Sequence, residues 1–127
     1  MSSPADERQL KRAFLALLLA FFVNFLGYAF IVPILPSWQT QFGLNATQAT
    51  LLVSLWAVPL LLFGPLTGRI TDRFGAGPTV LVSLVLLTFS SGLYIVATNE
   101  WVGRPFLLLA IARMVHGASG ATIMTAG

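Results

Sequence analysis

Few residues in this chain could do chemistry, and most of them stand where polar groups are out of place. Arg113 and His116 lie inside an apolar run, and with Gly117 and Gly120 they fall at i, i+3, i+4 and i+7, one helical face. A guanidinium on such a face attracts anions, and an imidazole titrates near neutral pH. The pair therefore suits an anion-attracting or proton-coupling role. Asn24, Gly27, Tyr28 and Ile31 repeat the same spacing nearer the N-terminus, so Asn24 and Tyr28 are further candidates for a central cavity. A third group, Gly68, Arg69, Asp72, Arg73 and Gly75, concentrates charge between glycines. No acid pair lies within an apolar segment, and neither metal-ligand spacing nor a phosphate-cradling loop occurs. Catalysis, a metal site and a cofactor are not expected.

The elements that must position these residues follow from composition. Of 127 residues, 57% are hydrophobic and 9% charged, with no cysteine. A soluble domain averages about 45–50% apolar and about 25% charged, so this chain lacks a water-facing surface. The net charge of +3 is too thin an excess to imply a nucleic-acid partner. No charge occurs from Ala13 to Gly68 or from Phe74 to Asn99. About 20 apolar residues span a bilayer, which predicts an all-α membrane protein with four transmembrane helices. The spans are expected at about 13–35, 46–67, 78–97 and 105–126, after a segment 1–12 on the cytoplasmic side. Prolines 78 and 105 suit first helical positions, and the polar stretch Pro36–Asn45 reads as the first connection. The first apolar run exceeds 20 residues, too long for a cleaved signal peptide.

Arg8, Lys11 and Arg12 precede the first span, and Arg69 and Arg73 lie between the second and third. The opposite loops hold only Arg104, beside Glu100. Basic loops stay inside, so both termini are expected in the cytoplasm, in a multi-pass protein of the bacterial inner (plasma) membrane.

Each candidate also has a packing role open to it. Asn24 and His116 can join helices by hydrogen bonds, and Ser83, Ser90 and Ser91 read as packing residues. Gly64, Gly117 and Gly120 are small enough for close helix approach. Pro59 and Pro65 should kink or end the second helix. For Arg113 the alternative is snorkelling to an interface, but eight residues into its helix it is about 12 Å deep.

Gly68-x-x-x-Asp72-Arg73-x-Gly75 resembles the loop between helices 2 and 3 of the major facilitator superfamily. Leu109-x-x-x-Arg113-x-x-His116-Gly117-x-x-Gly120 is similar to its fourth-helix motif, and Ile31-Val32-Pro33-Ile34-Leu35-Pro36 to a stretch of drug:proton antiporters, nearest the vesicular amine transporter branch. The resemblance implies helices 1–4 of that fold and a small-molecule transporter working by alternating access. It gives Asp72 and Arg73 the role of a conformational lock between the two halves of the transporter. That branch carries an acid at the position of Asn24, which here holds neither a proton nor a charge. The four spans amount to one three-helix repeat and the first helix of another. The expectations are a truncated transporter, or a non-transporting accessory subunit packed against other transmembrane helices. An autonomous homo-oligomeric exporter is the alternative. The bilayer is the one partner composition requires, and the substrate is not readable.

Overall fold

In a computed structural model, residues 4–99 and 101–126 are described. Glu100, expected beside Arg104, lies outside the described residues. The described residues form α1 (Pro4–Phe42), α2 (Ala46–Ser54), α3 (Ala57–Phe74), α4 (Ala76–Ala97) and α5 (Pro105–Ala126). Four helical stretches are long and apolar enough to cross a membrane, with α2 and α3 sharing one, from Ala46 to Phe74. The expected all-α, four-span architecture is the one found.

The first span lies within a helix much longer than 13–35. α1 continues through Pro33 and Pro36 to Phe42, so the connection expected at Pro36–Asn45 shrinks to three residues. An interior proline removes a hydrogen-bond donor and strains the helix, but two such losses do not end a helix this apolar. Its end is made by Gly43, whose φ of 63° is left-handed, with Leu44 N–H donating to the Gln39 carbonyl at 3.1 Å. That 6→1 bond is the Schellman ending. Asn45 then caps α2 reciprocally, its Oδ1 accepting from Gln48 N–H at 2.8 Å and its N–H donating to Gln48 Oε1 at 3.0 Å.

The second span breaks at Leu55–Trp56, four residues before Pro59 at the earlier of the two. Pro59 has no N–H for the carbonyl of Leu55 and its ring crowds that carbonyl, so the ladder opens there. Pro65 sits inside α3 without ending it. The charged segment expected as a turn is helical through Phe74, and the reversal falls on Gly75, at φ 86°.

α5 is the hub of the bundle. Within its most apolar stretch 56% is buried, against 17% in each other span. α4 and α3 pack most closely on it, and α1 crosses it more lightly. The outer faces of α1 and α4 present Phe14, Phe22, Phe25, Leu81, Val85 and Phe89, all more than half exposed. Such a surface belongs in hydrocarbon. One end of the bundle holds a small apolar cluster of Ile31, Trp38, Leu44, Leu52, Ala97 and Leu109. Leu10 and Phe14 of α1 line one groove with Ala76 and Gly77 of α4 at the other end. The N-terminal basic residues and Arg69 and Arg73 therefore share one end.

Candidate functional site

Arg113 is fully buried on α5. Its Nε donates to the Leu52 carbonyl at 2.7 Å and its Nη2 to the Val53 carbonyl at 3.2 Å. Those carbonyls sit just before the break in the second span. One flat guanidinium thus bridges two acceptors left at an interrupted helix, a use of the fork that a lysine cannot copy. The Tyr28 ring covers the guanidinium with 5.3 Å from Cζ to centroid, and the Trp56 ring lies tilted against Tyr28 with centroids 4.5 Å apart. No carboxylate pairs with Arg113 among the described residues, and its Nη1 has no hydrogen-bond partner. Trp56 Nε1 is also unpartnered, and the Tyr94 hydroxyl, which can accept as well as donate, lies beside Arg113.

One turn on, His116 is buried and its Nε2 lies 3.1 Å from the Asn24 backbone carbonyl. A carbonyl only accepts, so Nε2 carries the proton, and Nδ1 is left without a partner. The Asn24 side chain donates from Nδ2 to Ser119 Oγ at 2.6 Å. Ser119 in turn exchanges bonds with Ser83, each hydroxyl donating to the other's carbonyl at 2.9 Å. Ser90 Oγ donates to the Ala112 carbonyl at 2.8 Å, whereas Ser91 bonds only within its own helix. The polar groups of α1, α4 and α5 thus form one buried chain from Asn24 to Ser83. In hydrocarbon such groups must find partners within the protein.

Glycines set how closely the elements approach. A Cβ on Gly117 would collide with the Trp56 carbonyl oxygen, and one on Gly120 would lie 3.2 Å from the Trp56 ring. On Gly27 it would meet His116 Cε1 at 2.9 Å. Gly64 and Gly68 have nothing within 4 Å. Gly64 and Gly68 are half-buried on the face of α3 from which Thr67 reaches α5, with room left for a side chain.

The charged motif lies elsewhere. Thr67 donates to the Ala121 carbonyl at 3.3 Å, eight residues beyond Arg113 and so about 12 Å along α5. Asp72 and Arg73 are exposed, and the Arg73 guanidinium rests 5.3 Å from the centre of the Phe74 ring. Gly75 N–H closes α3 on the Thr71 carbonyl at 2.8 Å. The structure therefore gathers Arg113, His116, Asn24 and Tyr28 in one place, and keeps Gly68, Asp72, Arg73 and Gly75 apart from them. Sequence reasoning missed Trp56, Tyr94, Ser119 and the carbonyls of Leu52 and Val53. Pro59 was a partial signal: it marks where the second span breaks, but the carbonyl it deprives of a donor is that of Leu55, not those of Leu52 and Val53. Among the described residues no cluster of His, Asp and Glu could hold a metal ion.

A four-span helical bundle with a polar seam and a broken helix has the form of a membrane transport domain. The Major Facilitator Superfamily profile matches residues 17–127, and the chain belongs to that family of transporters. It is 31% identical over 108 residues to Multidrug resistance protein 1 of Bacillus subtilis (strain 168), covering 85% of this chain and 26% of that protein. To the Tetracycline resistance protein, class E, of Escherichia coli it is 32% identical over 116 residues, covering 89% and 27%. To the Quinolone resistance protein NorA of Staphylococcus aureus (strain Mu50 / ATCC 700699) it is 27% identical over 103 residues, covering 81% and 25%. The chain spans about a quarter of the length of these relatives. No solved structure matches it.

Proposed function

We propose that these residues form part of an exporter that carries drug-like small molecules out of a bacterial cell by alternating access. The observation that carries this reading is the polar face of α5. Arg113 and His116 are buried beside Asn24 and Tyr28 at mid-span, where a charged side chain costs about 2.5–3.5 kcal/mol and marks a functional path. Transporters of this architecture place their substrate site near the bilayer midplane, between repeats that rock against each other. The names of the relatives, which speak of resistance to multiple drugs, tetracycline and quinolones, supply the substrate class.

In this reading the end bearing Arg8, Lys11, Arg12, Arg69 and Arg73 faces the cytoplasm, as basic residues favour. Asp72 and Arg73, exposed there, meet a partner surface in one of the two access states. The open apolar faces of α1 and α4 pack on lipid or on further transmembrane helices, which complete the substrate path. His116, with its unpartnered Nδ1, is the titratable side chain of the seam.

The test is expression of the protein in a bacterium stripped of its own drug exporters. Higher tolerance to tetracycline or a fluoroquinolone, lost in Arg113→Ala at equal membrane abundance, is the expected result. Tolerance that the parent protein raises and Arg113→Ala raises equally sinks the reading.

A further inference from the structure

The end of the bundle that carries the basic residues also carries two apolar grooves, one on each side of the start of α4. The first, about 460 Å³, runs between α3, α4 and α5, with Ile70 and Phe74 on one wall and Pro78 and Val82 on the other. The second, also about 460 Å³, runs between Leu10, Phe14 and Leu17 of α1 and Ala76, Gly77 and Val80 of α4. The ridge separating them is residues 75–77, exposed and bare: a Cβ on Gly75 or Gly77 would meet nothing within 4 Å. Exposed arginines stand on both sides of this ridge. Arg73 lies over the ring of Phe74, which lines the first groove. Arg12 borders a shallow polar recess with Arg8 and directly precedes Ala13 and Phe14 of the second groove.

Two apolar slots of equal size, joined across a small-residue ridge and flanked by guanidinium groups, match a molecule with two hydrocarbon chains and a negative head between them. We propose that this end of the bundle binds one anionic diacyl phospholipid. One acyl chain fills each groove, and the phosphate lies over the Gly75–Gly77 ridge within reach of Arg12 and Arg73. Any lipid tail would fill an apolar groove in a bilayer, so the tails give no selectivity. The head does, because guanidinium groups pair with phosphate oxygens in two-pronged hydrogen bonds and basic side chains at a membrane surface favour anionic lipids. Arg104, at the opposite end of the bundle, has no part in the site. The inference needs the chain to lie in a bilayer and does not depend on what it transports.

The test is native mass spectrometry of the purified protein released from micelles doped with phosphatidylglycerol or, separately, phosphatidylcholine. One phosphatidylglycerol should stay bound per protein, at least tenfold more often than phosphatidylcholine. Arg12→Gln with Arg73→Gln should erase that preference, and Arg104→Gln should keep it. Gly77→Leu, which fills the second groove and leaves every charge in place, should reduce retention of both lipids. Circular dichroism confirms that each variant is folded. Equal retention of the two lipids by the parent protein overturns the proposal. So does a double variant that still prefers phosphatidylglycerol, or a spectrum in which a second copy of the chain takes the place of lipid.

Discussion

Replacing Gly117 with alanine puts a methyl group where the Trp56 carbonyl oxygen already stands, with the Trp56 carbonyl carbon at 3.0 Å and Pro59 Cδ at 3.2 Å. Carbonyl and proline ring are both fixed to the backbone, so no rotamer change clears the site. The whole start of α3 must move off α5. Overpacking of this kind costs about 1–3 kcal/mol, while exchanging a helical glycine for alanine returns about 0.5–1 kcal/mol. The net loss is up to about 2.5 kcal/mol. Gly64→Ala and Gly68→Ala meet nothing within 4 Å and should keep only the gain. Gly120→Ala, with the Trp56 ring at 3.2 Å, should fall between them. Unfolding in mixed micelles with rising dodecyl sulfate, followed by circular dichroism, ranks the four. A Gly117→Ala protein as stable as Gly64→Ala would show that α3 and α5 do not meet as described.

Three further outcomes are expected. In Arg113→Lys an ammonium can no longer bridge the Leu52 and Val53 carbonyls, and one bond from a charged donor is worth about 1.5–3 kcal/mol. Amide exchange at Trp56 and Ala57 should quicken by tenfold or more, and unchanged exchange would mean the guanidinium does not hold the break. A double-mutant cycle of Asn24→Ala and Ser119→Ala should give a coupling near 0.6 kcal/mol and no more than about 1.7 kcal/mol, the range for bonds between membrane helices; zero coupling removes that bond. Gly75→Ala forces a side chain into a backbone region nearly confined to glycine, at φ 86° and ψ 168°, and should destabilise by about 1–3 kcal/mol. Equal stability in the same micelle titration would contradict that geometry.

The spans were legible because charge and apolar length decide them. Pro105 opens the last helix, since a proline suits a first turn. The ends of α1 and α3 were not legible. Pro36, Gln39 and Gln41 look like a loop, yet Gly43 alone can take the left-handed turn, so the helix continues to it. Arg69 and Asp72 look like a turn for their charge, yet nothing before Gly75 forces a reversal. On α5, helical spacing placed Arg113, His116, Gly117 and Gly120 together. It gave no hint of Trp56, because what makes Trp56 matter is the break that Pro59 causes and the carbonyls exposed there. A pattern read along one helix carries no information about which backbone groups of another helix need a donor.

That break changes what Arg113 means. Read alone, a buried arginine in a span asks for a negative partner, and the obvious one is a substrate or a carboxylate. Here the insertion cost of about 2.5–3.5 kcal/mol is matched in size by two charged-donor hydrogen bonds of about 1.5–3 kcal/mol each, and Tyr28 shields the remaining face. The guanidinium is therefore held by the fold without any ligand. A glutamine could also donate to a carbonyl, but only the guanidinium keeps a free Nη1 and a full charge beside Trp56 and Tyr94. Its hold on the second span is made through carbonyls, which an incoming anionic group can outcompete. Under the export proposed above, the residue that would meet charge in the seam is the one that fixes the broken helix, and occupancy of the seam would then be linked to the shape of the second span.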